Sequence, residues 1–180
     1  MLFRSAMLQL SPVARFALKF IGIFALLMGI FEASRGSGAE RFIVEDVILK
    51  PTVALIQGLA PGEQITLVGR NIQSPTSNLH VTRGCEGVEI FLILAAGVLA
   101  FPTSWKARLQ GLVVGFVLAY ILSILRLVAL HFILRYDQNA WDSLHGLVLP
   151  LGPIVLISLY FLYWSDRIPV RTPRGPVAAA

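Results

Sequence analysis

Charge is what this chain has least of. Only 14% of its 180 residues are Asp, Glu, Lys or Arg, against ~25% in an ordinary soluble domain. It has a single cysteine, Cys85, which excludes any disulfide within the chain. A metal centre is disfavoured, because Cys85 and His145 would still need a carboxylate such as Glu86 as a third ligand. No glycine-rich phosphate loop occurs, so no cofactor is implied. Internal repeats and heptads are missing too.

What the chain has instead is apolar residues, 56% of the total. They come in blocks too long for ordinary core helices, which predicts an all-α integral membrane protein. The net charge of +5 raises the question of nucleic acid. The basic residues, however, gather in the short segments that flank the apolar blocks. That is the positive-inside pattern of a membrane protein, and nucleic acid is set aside as a partner.

Residues 1–15 form a short lead with Arg4 and Arg15 and no acid, expected in the cytoplasm. Residues 16–31 follow as a first span, apolar apart from Lys19, which can snorkel to the headgroups. A cleavable signal peptide is the alternative, since Ala33, Ser34 and Gly36 follow. Further spans downstream favour an uncleaved helix.

Residues 32–87 are the one long polar segment and belong outside. Within it Phe42–Leu59 is rich in Ile, Val and Leu, but Glu45, Asp46, Lys50 and Pro51 forbid a span. An interfacial helix is predicted there, with Pro51 starting a second helical stretch or breaking the first. Gln64–Gly69 and Asn78–Arg83 read as two β arms joined through the turn-rich residues 71–78, a small hairpin. Its second arm delivers the chain to Cys85.

Residues 88–164 are expected to hold three further helices. Val88–Phe101 leads to a tight turn with Trp105, Lys106 and Arg108, whose charges place it in the cytoplasm. Leu109–Leu134 carries one full charge, Arg126, and Gly146–Trp164 carries Pro150 and Pro153 as sources of a kink. The tail 165–180, with Arg167, Arg171 and Arg174 among prolines, reads as a basic cytoplasmic end. About four spans with both termini inside is the predicted topology.

This topology brings unusual residues to one depth. Cys85 precedes the second span on the outer side, and His145 precedes the fourth. Arg126 lies 17 residues past Leu109, roughly 26 Å along a helix rising outward. Each has an ordinary reading: a small hydrophobe at a helix start, an interfacial histidine, an arginine paired with Glu86, Glu89 or Asp142. His131 points to another helix face and His80 lies in the hairpin, so both are weaker candidates. Together Cys85, Arg126 and His145 make a mechanism: a thiol as nucleophile, a histidine to take its proton, and a fixed cation to stabilise the thiolate or a tetrahedral oxyanion. The implied reaction is acyl transfer through a thioester.

The same residues carry a resemblance. Gly84-Cys85-Glu86-Gly87 before an apolar span resembles the Cys-x-Gly motif of the exosortase/archaeosortase family. Leu122-Ser123-Ile124-Leu125-Arg126-Leu127 resembles its arginine motif and His145-Gly146 its histidine motif. The compact length and the Ala100–Arg108 turn are most similar to the exosortase H branch. The resemblance implies a cysteine transpeptidase or protease of the bacterial cytoplasmic membrane, its active site facing the periplasm. Its partners would be exported proteins with a C-terminal motif, a transmembrane helix and a basic end, besides membrane lipids. In the exosortase H branch that signal bears Ile-Pro-Thr-Leu and Trp-Gly elements. Carried over, Cys85 is the nucleophile, Arg126 the transition-state stabiliser and His145 the proton acceptor and donor. Glu86 stands where Asn or Ser is common and Ser123 where Asn is frequent, so both are supporting positions. The alternative from another class is a non-catalytic assembly factor, or a small transporter, in which Arg126 binds an anionic group. Four spans without inverted repeats disfavour the transporter.

Overall fold

Long apolar runs with no internal backbone breaker become helices, and the punctuation between them is Pro and Gly. The computed structural model describes residues 11–75, 77–82, 84–136, 146 and 148–169. Helix α1 is Pro12–Ala33. Ser11 caps it by accepting the Ala14 amide at 3.2 Å, and Pro12 opens the first turn, where no amide is required. A helical rod then runs through α2 (Gly38–Arg41), a π-helical stretch Phe42–Leu49 and α3 (Lys50–Leu59). Strands β1 (Thr66–Val68), β2 (Asn71–Gln73) and β3 (Asn78–His80) follow. Helices α4 (Val88–Ala100), α5 (Trp105–Tyr136) and α6 (Leu149–Asp166) complete the chain. The fold is that of an all-α membrane protein carrying one small sheet.

Pro51 does not break the rod. It sits in the first turn of α3, and the wider π winding precedes it. A proline at this place leaves the carbonyl four residues back without its usual donor. That carbonyl, Val47 O, receives the Tyr120 hydroxyl of α5 at 3.0 Å. Val44, Ile48, Leu49, Val53 and Ile56 are buried on one side of the rod, while Phe42, Ile43 and Leu59 are exposed on the other.

The predicted hairpin is a three-stranded antiparallel meander, in the order β1-β2-β3. Residues 71–73, read from the sequence as part of a turn, form the central strand. The reason is Ile72, which is fully buried and is held in the sheet's apolar face by Leu67 and Leu79 on either side. Asn71 and Gln73 flank it on the other face, and their turn-type chemistry hides the alternation.

Three helices among the described residues are long and apolar enough to cross a membrane: α1 with 22 residues, α5 with 32 and α6 with 18. The expected second span is shorter than the rest. Helix α4 has 13 residues, about 20 Å, against a hydrocarbon thickness of about 30 Å. Gly87 caps its start in a left-handed conformation, and the Phe101–Pro102 turn ends it. It packs against α1, α5 and α6, so its burial comes from the bundle. Helix α5 is the opposite case: at 32 residues it is about 48 Å long and outruns the hydrocarbon. Pro150 lies in the first turn of α6, and Pro153 is inside the helix.

Two apolar clusters result. The first joins Ile90, Leu94 and Val98 of α4 to Ala119 of α5 and Ile157 and Trp164 of α6. Gly111 and Gly115 make this approach close: a Cβ at Gly111 would lie 2.6 Å from the Trp164 ring, and one at Gly115 2.7 Å from Tyr160. Small residues four apart serve helix contact in lipid in this way. The second cluster unites the rod, the sheet, Cys85, Val88 and the C-terminal half of α5 through Leu127, Val128 and Leu130. Leucines and valines exposed on α1, α5 and α6, among them Leu26, Val117 and Leu159, face lipid.

Candidate active site

Cys85 sits in the second cluster, and Arg126 directly precedes its member Leu127. After β3 the chain turns sharply: the Cys85 amide donates to the Thr82 carbonyl at 3.0 Å. Gly84, third residue of this turn, has φ +82°, a region that glycine enters freely and other residues avoid. The turn brings the Thr82 hydroxyl to 3.3 Å from Cys85 Sγ. Cys85 itself is 9% exposed. Gly87, with φ +80°, then starts α4. It has no room for a side chain, since a Cβ there would overlap Ser123 Oγ and lie 3.1 Å from Ser123 Cβ. Ser123 is fully buried and donates to Ala119 O at 2.9 Å, which turns its hydroxyl back along α5. The two supporting positions of the sequence therefore differ. Ser123 shapes the floor under the cysteine turn, and Glu86 stands within it.

Helix α5 supplies Arg126, about 32 Å along the helix from Trp105. Its Nη1 donates to the Gly84 carbonyl at 3.3 Å. Arg126 is 7% exposed, and its buried Nε has no hydrogen-bond partner among the described residues. Arg126 and the cysteine turn, expected from the sequence to lie at one level, are joined by the bond to the Gly84 carbonyl. His145 lies outside the described residues.

Of the acids offered as partners for Arg126, Glu86 forms no ion pair with it. Glu86 is fully buried, and Arg70 lies 3.7 Å from it. Arg70 belongs to a charge chain: it bonds Glu40, Glu40 lies 3.8 Å from Arg35, and Arg35 bonds Glu32. The Gly36 amide, 2.6 Å from Glu40 Oε2, then Arg70 and Arg35, hold the Glu40 carboxyl below its ordinary range against the effect of burial. Burial, and next the charge of Glu89, push the Glu86 carboxyl upward. Neither Glu86 oxygen has a hydrogen bond among the described residues. The seven acids between residues 32 and 89, of ten in the chain, were the visible signal for this chain of charges. Arg70, which joins Glu40 to Glu86, lies 30 residues from the one and 16 from the other, beyond the reach of local pattern.

A second polar group ties the outer segment to α5. His131 is fully buried, with Nδ1 3.4 Å from Ser77 Oγ and Nε2 3.8 Å from Glu63 Oε2. Arg135 pairs with the same Glu63 oxygen. His80 meets Asn71 Oδ1 at 2.6 Å on the exposed face of the sheet. Both histidines thus meet side chains of residues 63–77. No group of three or more metal-binding side chains occurs among the described residues.

Lipid-length helices with a thiol turn and a buried guanidinium at one end define a polytopic membrane protein with a candidate site at the edge of its bundle. The chain belongs to the transmembrane exosortase family, whose profile matches residues 5–162. That span contains Cys85, Arg126 and His145. No curated protein and no solved structure matches the chain.

Proposed function

We propose that this exosortase-family protein is a cysteine transpeptidase or protease that cleaves the C-terminal sorting signal of exported proteins. The observation that carries the reading is Arg126: nearly buried, bonded to the carbonyl that precedes Cys85, and with its Nε donor unused among the described residues. A buried cation of this kind is expensive to keep in a membrane protein and points to a task. In the reaction Cys85 Sγ attacks the carbonyl carbon of the scissile peptide, and His145 takes the thiol proton. The oxyanion that develops is stabilised by the free guanidinium donors of Arg126. His145 then protonates the departing amine, which leaves a thioester on Cys85 for water or an amine to resolve. The site faces the periplasm of the bacterial cytoplasmic membrane, with both termini inside, as the basic loops argue.

The burial of Cys85 among Val81, Val88 and Leu127 favours a second reading, a scaffold in which the cysteine only fills space. The two separate cleanly. A tagged exported reporter ending in an Ile-Pro-Thr-Leu/Trp-Gly signal, an apolar helix and a basic tail is followed over time in membranes. Cys85→Ala is expected to abolish its processing at near-normal protein abundance; unchanged processing would end the enzyme reading. Arg126→Lys tests the guanidinium. Lysine keeps the charge but loses the planar fork of donors, so a loss of about a hundred- to a thousandfold is expected, close to that of Arg126→Ala. Activity within a few-fold of the parent would reduce Arg126 to a structural charge.

A further inference from the structure

The meander leaves β3 at its edge, and the register fixes what that edge presents. Asn71 pairs with His80, Ile72 with Leu79 and Gln73 with Asn78. At either end the ladder is closed by Val81 N–H to Arg70 O at 2.9 Å and Ser74 N–H to Ser77 O at 2.8 Å. Bonded and non-bonded pairs alternate in an antiparallel ladder. Ser77, Leu79 and Val81 therefore turn their main-chain groups to β2, while Asn78, His80 and Thr82 turn theirs to the open edge. The Thr82 carbonyl is taken by the Cys85 amide. The His80 amide and carbonyl and the Thr82 amide have no main-chain partner among the described residues. The face behind the edge is filled by Ile72, Leu79 and Val81, so access is from the side. A cleft of about 570 Å³ beside the strand is lined by Arg35, Glu40 and Arg70 as well as by His80–Thr82.

We propose that the open edge Asn78–Thr82 binds an extended segment of the substrate polypeptide as an added strand. The inference rests on the reading of Cys85 as nucleophile, and it names how the substrate is held there. Strand addition uses main-chain hydrogen bonds and accepts varied side chains. Five residues of edge are about 16 Å, the length of a short linear motif. The edge ends three residues before Cys85, and the Thr82 hydroxyl already touches Sγ, so a strand laid along it runs to the thiol. A second copy of the chain is the other occupant an edge can take; only a substrate has reason to be led to the thiol.

The test replaces one edge donor. His80→Pro removes an amide that faces outward and spares the ladder to β2, whereas His80→Ala keeps the amide and removes only the side chain. On the tagged reporter, His80→Pro should lower kcat/KM about tenfold, the loss of one main-chain hydrogen bond, and His80→Ala less than threefold. Equal rates for the two variants, with Cys85→Ala inactive, would overturn the docking edge and leave the enzyme standing. Independently of folding or turnover, a photo-crosslinking benzoylphenylalanine at position 80 in the Cys85→Ala chain should join the reporter within its C-terminal motif. No crosslink, or a crosslink only to a second copy of the chain, overturns the proposal. A crosslink to the motif with processing intact in Cys85→Ala keeps the docking edge and removes the nucleophile instead.

Discussion

Gly84 and Gly87 bracket Cys85 with nearly equal dihedrals, φ +82° and +80°, but with unequal surroundings. A Cβ at Gly84 would find only Glu89 Oε1, at 4.0 Å. Gly84→Ala should therefore cost the left-handed backbone term alone, about 1–2 kcal/mol. At Gly87 the same term applies and the new methyl also overlaps Ser123 Oγ. Overpacking of this kind adds about 1–3 kcal/mol, so Gly87→Ala should cost roughly 2–5 kcal/mol. The obstruction can be removed separately. Ser123→Ala deletes Oγ and leaves Cβ at 3.1 Å, a contact that small shifts relieve. It also gives up only a hydroxyl bond back to Ala119 within the same helix, which contributes little. Gly87→Ala/Ser123→Ala should then fall back to within about 1 kcal/mol of Gly84→Ala. Thermal unfolding of the purified protein in detergent, followed by tryptophan fluorescence, reads these differences at roughly 2–4 °C per kcal/mol. Equal midpoints for the two glycine variants, or no recovery on adding Ser123→Ala, would refute the close packing of the cysteine turn on α5.

Glu86→Gln tests the buried carboxyl. A raised folded-state pKa contributes stability that is complete below the unfolded value, near 4.5, and is lost as pH rises through the folded value. The variant should melt above the parent at pH 8, with the gap closing toward pH 4.5; a lower midpoint at pH 8 would mean that attraction to Arg70 outweighs burial. Gly111→Val should lower the melting temperature by roughly 2–12 °C, from about 1–3 kcal/mol of overpacking against Trp164, and an unchanged midpoint would deny the contact between α5 and α6. As the only thiol, Cys85 should react with an impermeant maleimide in intact spheroplasts, faster once the protein is unfolded because it is 9% exposed. Labelling that requires permeabilisation would reverse the proposed orientation.

Local pattern was sufficient to find the apolar helices, because they depend on run length. The apolar blocks set the helices, Pro102 and the basic turn set the hairpin between α4 and α5, and counting residues from that turn brought Arg126 toward the cysteine turn, where it bonds the Gly84 carbonyl. What each polar group bonds was decided only by the tertiary structure. Glu86 sits against Arg70 and not Arg126, because the sheet carries Arg70 over the cysteine turn while Arg126 is drawn to the Gly84 carbonyl. The strand at Asn71–Gln73 appears only when Ile72 has two neighbours to be buried between. The shortness of α4 follows from the left-handed Gly87, and Gly87 is forced by Ser123 of another helix, 36 positions away. Helix formation reads neighbours three and four residues apart. Ion pairs, strand registers and close helix approaches join residues that only the folded chain brings together.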